Sequence, residues 1–282
     1  MKTIDTLVED IGKVLQGKSD FCTALSAKAF EEINGICVNR FSTEPKERNY
    51  LSMSGVGQEC QRKLWYRVNP DGTPEPPSPA LSLLFFYGDM IEELVLMLAK
   101  QAGHTVTGEQ GEASIGGVKG HMDCIIDGMV VDVKSASPYA FKSKFHNNGL
   151  REDDPFGYIS QLSSYVYASR NNPEVTEKTK GAFLVVNKVS GEICLDVYDF
   201  TEELKTKEKE IEDVKYMVAQ PTPPDPLPTV PHGKSGNMAL GFGCSMCDRK
   251  FKCFPNTRVF KSYKGPVYLA EVKKEPRMME IK

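Results

Sequence analysis

Asp123, Asp132 and Lys134 are the residues of this chain whose spacing could do chemistry. They lie in the run Gly120-His121-Met122-Asp123-Cys124-Ile125-Ile126-Asp127-Gly128-Met129-Val130-Val131-Asp132-Val133-Lys134. Asp127-Gly128 is a favoured two-residue hairpin turn, because both positions tolerate positive φ. Residues equidistant from that turn then face each other. Asp123 stands opposite Asp132, Ile125 faces Val130 on the same side, and Lys134 follows Asp132 two residues on. The other side carries Met122, Cys124, Ile126, Met129, Val131 and Val133, all apolar, and this alternation sets the register. Facing carboxylates destabilise a strand pair. A hard divalent cation takes oxygen ligands and cancels the repulsion. A lysine beside it can orient a nucleophilic water or steady charge on a phosphate oxygen. The hairpin therefore reads as a metal-dependent phosphodiesterase centre, against the plainer reading of a solvated hairpin with surface charges.

The elements around it follow from periodicity. Leu81 to Gln101 reads as a helix with an apolar stripe of Leu81, Leu84, Phe85, Gly88, Ile91, Val95 and Leu98. Glu92 falls on or beside that stripe, where a carboxylate is costly unless paired or metal-bound. Gly88, one turn earlier, would let another element approach closely. Residues 112–118 read as a strand. Asp154-Pro155 starts a helix to about Arg170, with Asp as N-cap and Pro in the first turn. Gln161 and Tyr165 share one face of it. Residues 181–188 and 191–200 read as strands, and 201–218 as a charged amphipathic helix. Residues 1–53 read as polar helix, with weak periodicity at Ile4, Leu7, Ile11 and Leu15. Residues 69–79 and 219–233 are proline-rich, the second an extended linker.

Cysteine supplies the second signal. Cys244, Cys247 and Cys253 make a metal site lacking one ligand, and structural zinc and [4Fe–4S] clusters both take four thiolates. Cys60 is the best fourth, and Cys22 or Cys37 could replace it. Cys124 and Cys194 sit in apolar strands as small core residues. Eight cysteines without the apolar core of a signal peptide favour metal ligation or buried thiols over disulfides, and a cytoplasmic location. No run approaches a membrane span. The net charge of −3 neither advertises nor excludes a nucleic-acid partner, since local patches matter more.

Taken together, Gly88-x-x-x-Glu92, Gly120-His121-Met122-Asp123, Asp132-Val133-Lys134 and Gln161-x-x-x-Tyr165 resemble, in that order, the PD-(D/E)XK nuclease superfamily. Within it the match is to the RecB-type branch. Two departures are visible. Glu92 stands where that branch often has His, and Asp132 where the third motif more often has Glu. The resemblance implies an α/β, restriction-endonuclease-like core with a central mixed sheet flanked by helices. It implies that Glu92, Asp123 and Asp132, with the Val133 carbonyl, bind Mg²⁺ or Mn²⁺. Lys134 would orient the attacking water or stabilise the phosphate, and Gln161 and Tyr165 would position Lys134 or the DNA backbone. One cysteine before the core and three after it resemble the iron–sulfur subgroup of this branch, which includes AddB-type and CRISPR-adaptation nucleases. That favours a [4Fe–4S] cluster on Cys60, Cys244, Cys247 and Cys253 over Zn²⁺. The implied role is structural, joining the N- and C-terminal segments and closing about 180 residues of chain.

The expected organisation is an N-terminal helical segment (1–79), a nuclease core (80–218), a proline-rich linker (219–237) and a cysteine cluster with a basic tail (238–282). Arg62, Lys63, Trp65, Tyr66 and Arg67 set base beside aromatic, which suits phosphate contact and stacking on an unpaired base. Lys142, Lys144 and His146 could line a groove, and Arg249, Lys250, Lys252 and Arg258 extend the basic surface. The tail is of mixed charge, a composition compatible with disorder. The expected function is metal-dependent DNA exonuclease activity in end resection, recombination or repair, as in phage systems, with a single-strand annealing or recombination protein as candidate partner. A single-strand or flap endonuclease, a CRISPR-adaptation nuclease and an inactive DNA-binding scaffold are the alternatives.

Overall fold

The computed structural model describes residues 2–42, 49–146, 148–263 and 265–281. The expectation of helix through residue 53 therefore falls partly outside the described residues, at 43–48. In chain order the elements are helices α1 (Leu7–Leu15), α2 (Thr23–Ser42), α3 (Met53–Val56), α4 (Gln61–Val68) and α5 (Pro79–Gln101). Strands β1 (Val106–Thr107), β2 (Gly111–Ile115), β3 (Val118–Met122), β4 (Cys124–Ile126) and β5 (Met129–Ala136) follow. Then come α6 (Pro138–Lys144), α7 (Tyr158–Ser169), β6 (Lys180–Asn187), β7 (Ile193–Asp199) and α8 (Thr201–Val218). Last are β8 (Val230–His232), β9 (Asn237–Ala239), α9 (Phe242–Ser245), α10 (Lys250–Cys253), β10 (Arg258–Ser262), β11 (Gly265–Glu271) and β12 (Met279–Ile281). Contacts divide the chain into two units, Met1–Glu59 with Pro79–Lys215, and Cys60–Ser78 with Tyr216–Lys282.

The first unit is an α/β layer structure on a mixed sheet of order β1-β4-β5-β6-β7. Its β5–β6 pair is parallel, and its other pairs are antiparallel. One face of the sheet buries Ile125, Val130, Phe183 and Val185 against Met53, Leu162, Tyr165, Val166 and Ile211 of α3, α7 and α8. The opposite face buries Cys124, Ile126, Val131, Val133 and Leu184 against Leu7, Ile11, Val95, Leu98 and Ala99 of α1 and α5. A strand covered on both sides needs apolar residues at nearly every position. That is why β5 opens Met129-Val130-Val131, and its buried Asp132 is an exception to that pattern.

The hairpin register holds as expected, with Cys124 paired to Val131, Ile125 to Val130 and Ile126 to Met129. Asp127 and Gly128 take φ +48 and +87, the left-handed pair that this turn requires. Two details differ. The ladder stops at Cys124, because β3 turns away to pair with β2, so the strand expected over 112–118 is two strands joined at Gly116-Gly117. The side carrying Ile125 and Val130 is buried beneath α7 and is not solvated. The stripe of α5 is likewise buried only from Ile91 onward, with Leu84 and Phe85 about half exposed at 49% and 52%.

The second unit carries an antiparallel sheet of order β12-β10-β11-β9-β8. The C-terminal tail is thus strand and not disordered: Phe260 and Leu269 alternate inward and bury a small core with Ala239. The proline-rich segment is tied to α4. Arg62 donates to the Pro224 carbonyl (2.8 Å), Trp65 Nε1 to Gln220 (2.8 Å) and Asn69 to Val218 (2.7 Å). Those donors are spaced to share one helix face. Among the described residues, no helix is long and apolar enough to cross a membrane.

Candidate functional site

In the first unit, β5 aims Asp132 and Lys134 toward α7, two residues apart on one side of the strand. Asp132 is 1% exposed. Gln161 Nε2 donates to its Oδ1 (3.2 Å), and its buried Oδ2 meets the Lys134 ammonium as an ion pair. Gln161 also contacts the Tyr165 hydroxyl at 3.5 Å, so the two α7 residues act as one prop one helical turn long. Asp123 lies just outside the β4 ladder, and its Oδ2 accepts the Val133 N–H at 2.7 Å. The bond replaces the direct strand pairing expected of Asp123 and keeps its carboxylate beside β5.

Glu92 comes from α5, and its Oε1 accepts from Gln110 Nε2 at 2.7 Å. Gln110 also donates its backbone N–H to the Asp123 carbonyl at 3.0 Å. One residue in a turn thus ties together the segments that carry two carboxylates. It does so at φ +51, a left-handed conformation that costs a non-glycine residue on the order of 1 kcal/mol.

The electrostatics record the crowding. Burial, then repulsion by Asp132, pushes the Glu92 carboxyl up to about 7. Burial and the Asp132 charge push Asp123 well above the usual carboxylate range. Lys134 also pays for burial, but Asp132 and Asp123 outweigh that and hold its ammonium above its ordinary value. Burial lifts the Tyr165 hydroxyl to about 12, so it stays protonated as a donor.

The structure brings together Glu92, Asp123, Asp132, Lys134, Gln161 and Tyr165 from α5, the β3–β4 junction, β5 and α7. Gly120 makes the approach possible. A Cβ there would lie 2.8 Å from Met53 Cβ and 2.9 Å from Tyr165 Cε1. Gly88 does not play that part: a Cβ there would meet only Ser135 Oγ at 3.7 Å, an ordinary contact. Sequence reasoning missed Gln110, which sits in a turn with no periodicity to mark it. It also missed Tyr158, whose ring centroid lies 5.0 Å from Lys134 Nζ. The signal for Tyr158 was available, since residues 158, 161 and 165 share one helix face. α7 begins at Tyr158 and not at Pro155, yet Asp154 still caps it, accepting the Tyr158 and Ile159 N–H groups at 3.0 and 2.8 Å.

In the second unit, Cys60, Cys244, Cys247 and Cys253 line one cavity together with Lys63 and Lys250. Cys22, Cys37, Cys124 and Cys194 belong to the first unit. Burial pushes the Cys247 thiol up to about 11 and raises Cys253, and Cys60 adds to both shifts. Four thiols around one cavity bordered by lysines are a donor set suited to a cation or a cluster.

The basic and aromatic residues expected to contact DNA are largely engaged in structure. Trp65 and Tyr66 are buried at 8% and 4% exposure, so neither ring is open to a base as the chain is folded. Arg62, Arg249 and Lys252 surround the Tyr66 ring at 5.5, 5.9 and 5.2 Å. Arg249 also donates to the Asp71 and Gly72 carbonyls, and Lys250 pairs with Glu75. Arg258 pairs with Glu275 and Glu280. In the first unit Lys144 pairs with Asp153, while Lys142 and His146 are exposed.

No protein-family model matches the chain, and no curated relative does either. Among solved structures it is similar to the crystal structure of SSO0001, at 16% identity over 79% of this chain and 95% of that one, with a TM-score of 0.42. The chain is an α/β protein with a mixed central sheet flanked by helices.

Proposed function

We propose that the chain is a divalent-cation-dependent deoxyribonuclease with a restriction-endonuclease-like core, hydrolysing phosphodiester bonds from DNA ends in recombination or repair. The supporting observation is the convergence of Glu92, Asp123 and Asp132 on Lys134 and its Gln161–Tyr165 prop. Their donor set fits a hard cation: three carboxylates crowd together, and the Asp132 charge pushes the Glu92 and Asp123 carboxyls up. Among the described residues no three donors already stand at metal-binding spacing, so the carboxylates would shift on loading. Glu92, Asp123, Asp132 and the Val133 carbonyl would hold Mg²⁺ or Mn²⁺. Bound there, the ion would polarise a phosphoryl oxygen and acidify a water.

The remaining roles belong to the chain itself. Lys134 keeps its charge and faces the phosphate oxygen on which negative charge builds. Gln161 holds Asp132 in orientation, and Tyr165 holds Gln161. The Val133 N–H fixes Asp123, and Gln110 fixes Glu92. In the second unit, Cys60, Cys244, Cys247 and Cys253 would hold a [4Fe–4S] cluster, with Zn²⁺ as the alternative, to cross-link segments distant in sequence.

The test uses anaerobically purified protein and its Asp132→Ala variant on end-labelled linear duplex, single-stranded and closed circular DNA, each with Mg²⁺, Mn²⁺ or EDTA. Loss of linear DNA by wild type alone, dependent on metal and sparing circles, is the expected result. Failure of iron-loaded wild type to cleave any of the three would overturn the reading.

A further inference from the structure

α2 is a long helix that the fold hardly covers. Of its twenty residues only Ala29 is buried. It packs on α5, with Ala29 and the half-buried Ile33 and Ile36 on its inward side. The two helices run antiparallel. At one end the Gln101 side chain bonds both the N–H and the carbonyl of Cys22, at 2.8 Å each. At the other, Arg40 pairs with Asp89, and Phe41 meets Phe86 edge-on at 5.2 Å.

Each helix also turns a second apolar stripe outward. On α5, Leu83, Tyr87, Met90, Leu94 and Met97 repeat at spacings of four and three, the period of a helix–helix seam. Leu83 is 63% exposed, and Tyr87 and Leu94 are about half exposed. On α2, Phe30, Asn34, Val38 and Phe41 share one face, with Phe30 and Phe41 66% and 70% exposed. Counted in chain order, each stripe lies roughly a third of a turn past the side on which its helix meets the other. In two antiparallel helices, equal offsets in that sense point to the same side of the pair. The stripes therefore make one apolar face. Neither holds a charged side chain, as in the core of a protein interface. A nucleic acid would need cations there. A membrane surface would need lysine and arginine along the flanks, whereas Lys28, Glu31 and Glu32 beside the α2 stripe are of mixed sign.

The area decides the occupant. The exposed parts of the three aromatic and three aliphatic chains come to on the order of 500 Å². A standard interface of about 800 Å² per partner, a little over half apolar, needs about that much. The face also matches itself. Rotation by a half-turn about an axis along the helices sets α5 of one copy over α2 of the other, so all neighbouring helices run antiparallel, as in an up-down four-helix bundle. Leu83 and Tyr87 then face Val38 and Phe41.

We propose that the outer face of α2 and α5 is a twofold interface with a second copy of this chain. The inference stands apart from the nuclease reading. It also leaves the candidate site open: Glu92 and Leu94, two residues apart on α5, point about 200° from each other around the helix.

Sedimentation equilibrium of the full chain over a wide concentration range tests it, with wild type, Phe30→Arg, Leu94→Arg and Val189→Arg. Wild type should dimerise with a dissociation constant of about micromolar or tighter. Phe30→Arg and Leu94→Arg, both on exposed positions, should each raise that constant at least roughly thirtyfold. Val189→Arg, on the exposed turn between β6 and β7, should leave it unchanged. In wild type alone, which needs no variant to fold, hydrogen exchange in α2 should slow as concentration rises, while exchange in α8 should not change. A wild type that is monomeric throughout, a dimer that neither Phe30→Arg nor Leu94→Arg weakens, or α2 exchange independent of concentration overturns the interface.

Discussion

Glu92 depends on one hydrogen bond, from Gln110, in a place where burial and Asp132 both oppose its charge. A carboxylate that titrates higher folded than unfolded binds its proton more tightly in the fold. Its stabilisation is complete below the ordinary value of 4.5 and is lost as pH rises through about 7. Asp123, raised for the same reasons, acts in the same direction. Metal-free protein should therefore lose stability between about pH 4.5 and 7, with the Glu92 share on the order of 3 kcal/mol at most. Glu92→Gln should melt several degrees higher than wild type at pH 8 in EDTA and converge with it near pH 4.5. Parallel pH profiles for the two proteins would show that Glu92 carries no such penalty. Mg²⁺ at pH 8 should raise the wild-type melting temperature, because a ligand that binds only the folded state stabilises it, and Asp132→Ala should lose that gain. Gln110→Ala removes the bond that opposes the Glu92 shift, and also the left-handed side chain that supplies it. It should move the midpoint of the metal-free transition upward in pH.

At the level of elements, two glycines from the same sequence pattern have opposite meanings. Gly120 lets β3, α3 and α7 meet at distances no Cβ allows, and Gly88 sits in α5 with ordinary room beside it. Gly120→Ala should cost about 1–3 kcal/mol by overpacking, and the displaced Tyr165 should disturb Gln161 and Asp132, so activity falls with stability. Gly88→Ala should be neutral or stabilise by up to about 1 kcal/mol through helix propensity. Chemical denaturation of both variants checks the contrast, and a Gly88→Ala loss equal to that of Gly120→Ala would contradict it. The same contrast explains how much of the site was legible in advance. The Asp127-Gly128 turn and the β4–β5 register are local, so they could be read from alternation alone. The bend at Asp123 depends on β3 pairing with β2, and the late start of α7 depends on Gly157 lying against Gly57. Both are tertiary facts without a local trace. Burial of the Ile125–Val130 side was concealed because Asp132 and Lys134 interrupt its apolar run, and charged residues on a covered strand mimic a solvated face.

Over the whole molecule, the chain leaves the first unit after Glu59 and returns at Pro79, so the second unit is assembled from segments far apart in sequence. Its sheet core is small, with Ala239, Phe260 and Leu269 buried. Much of its remaining order comes from polar ties: α4 to the proline-rich segment, and Arg249, Lys250 and Lys252 to residues 71–75. Small cores of this kind commonly need a covalent or metal staple. The four cysteines of the cavity come from these same segments, Cys60 from one and Cys244, Cys247 and Cys253 from the other. Closing so long a loop removes more entropy from the unfolded chain than closing a short one. Anaerobically purified protein should accordingly be brown and carry about four irons per chain. Cys247→Ser should lose the colour and, in hydrogen exchange, lose protection over 60–78 and 216–281 while β4, β5 and β6 keep theirs. Full protection in a colourless, iron-free Cys247→Ser protein would mean that the polar ties suffice and the cysteines have another use. One zinc in place of the irons would retain the staple and change only its metal.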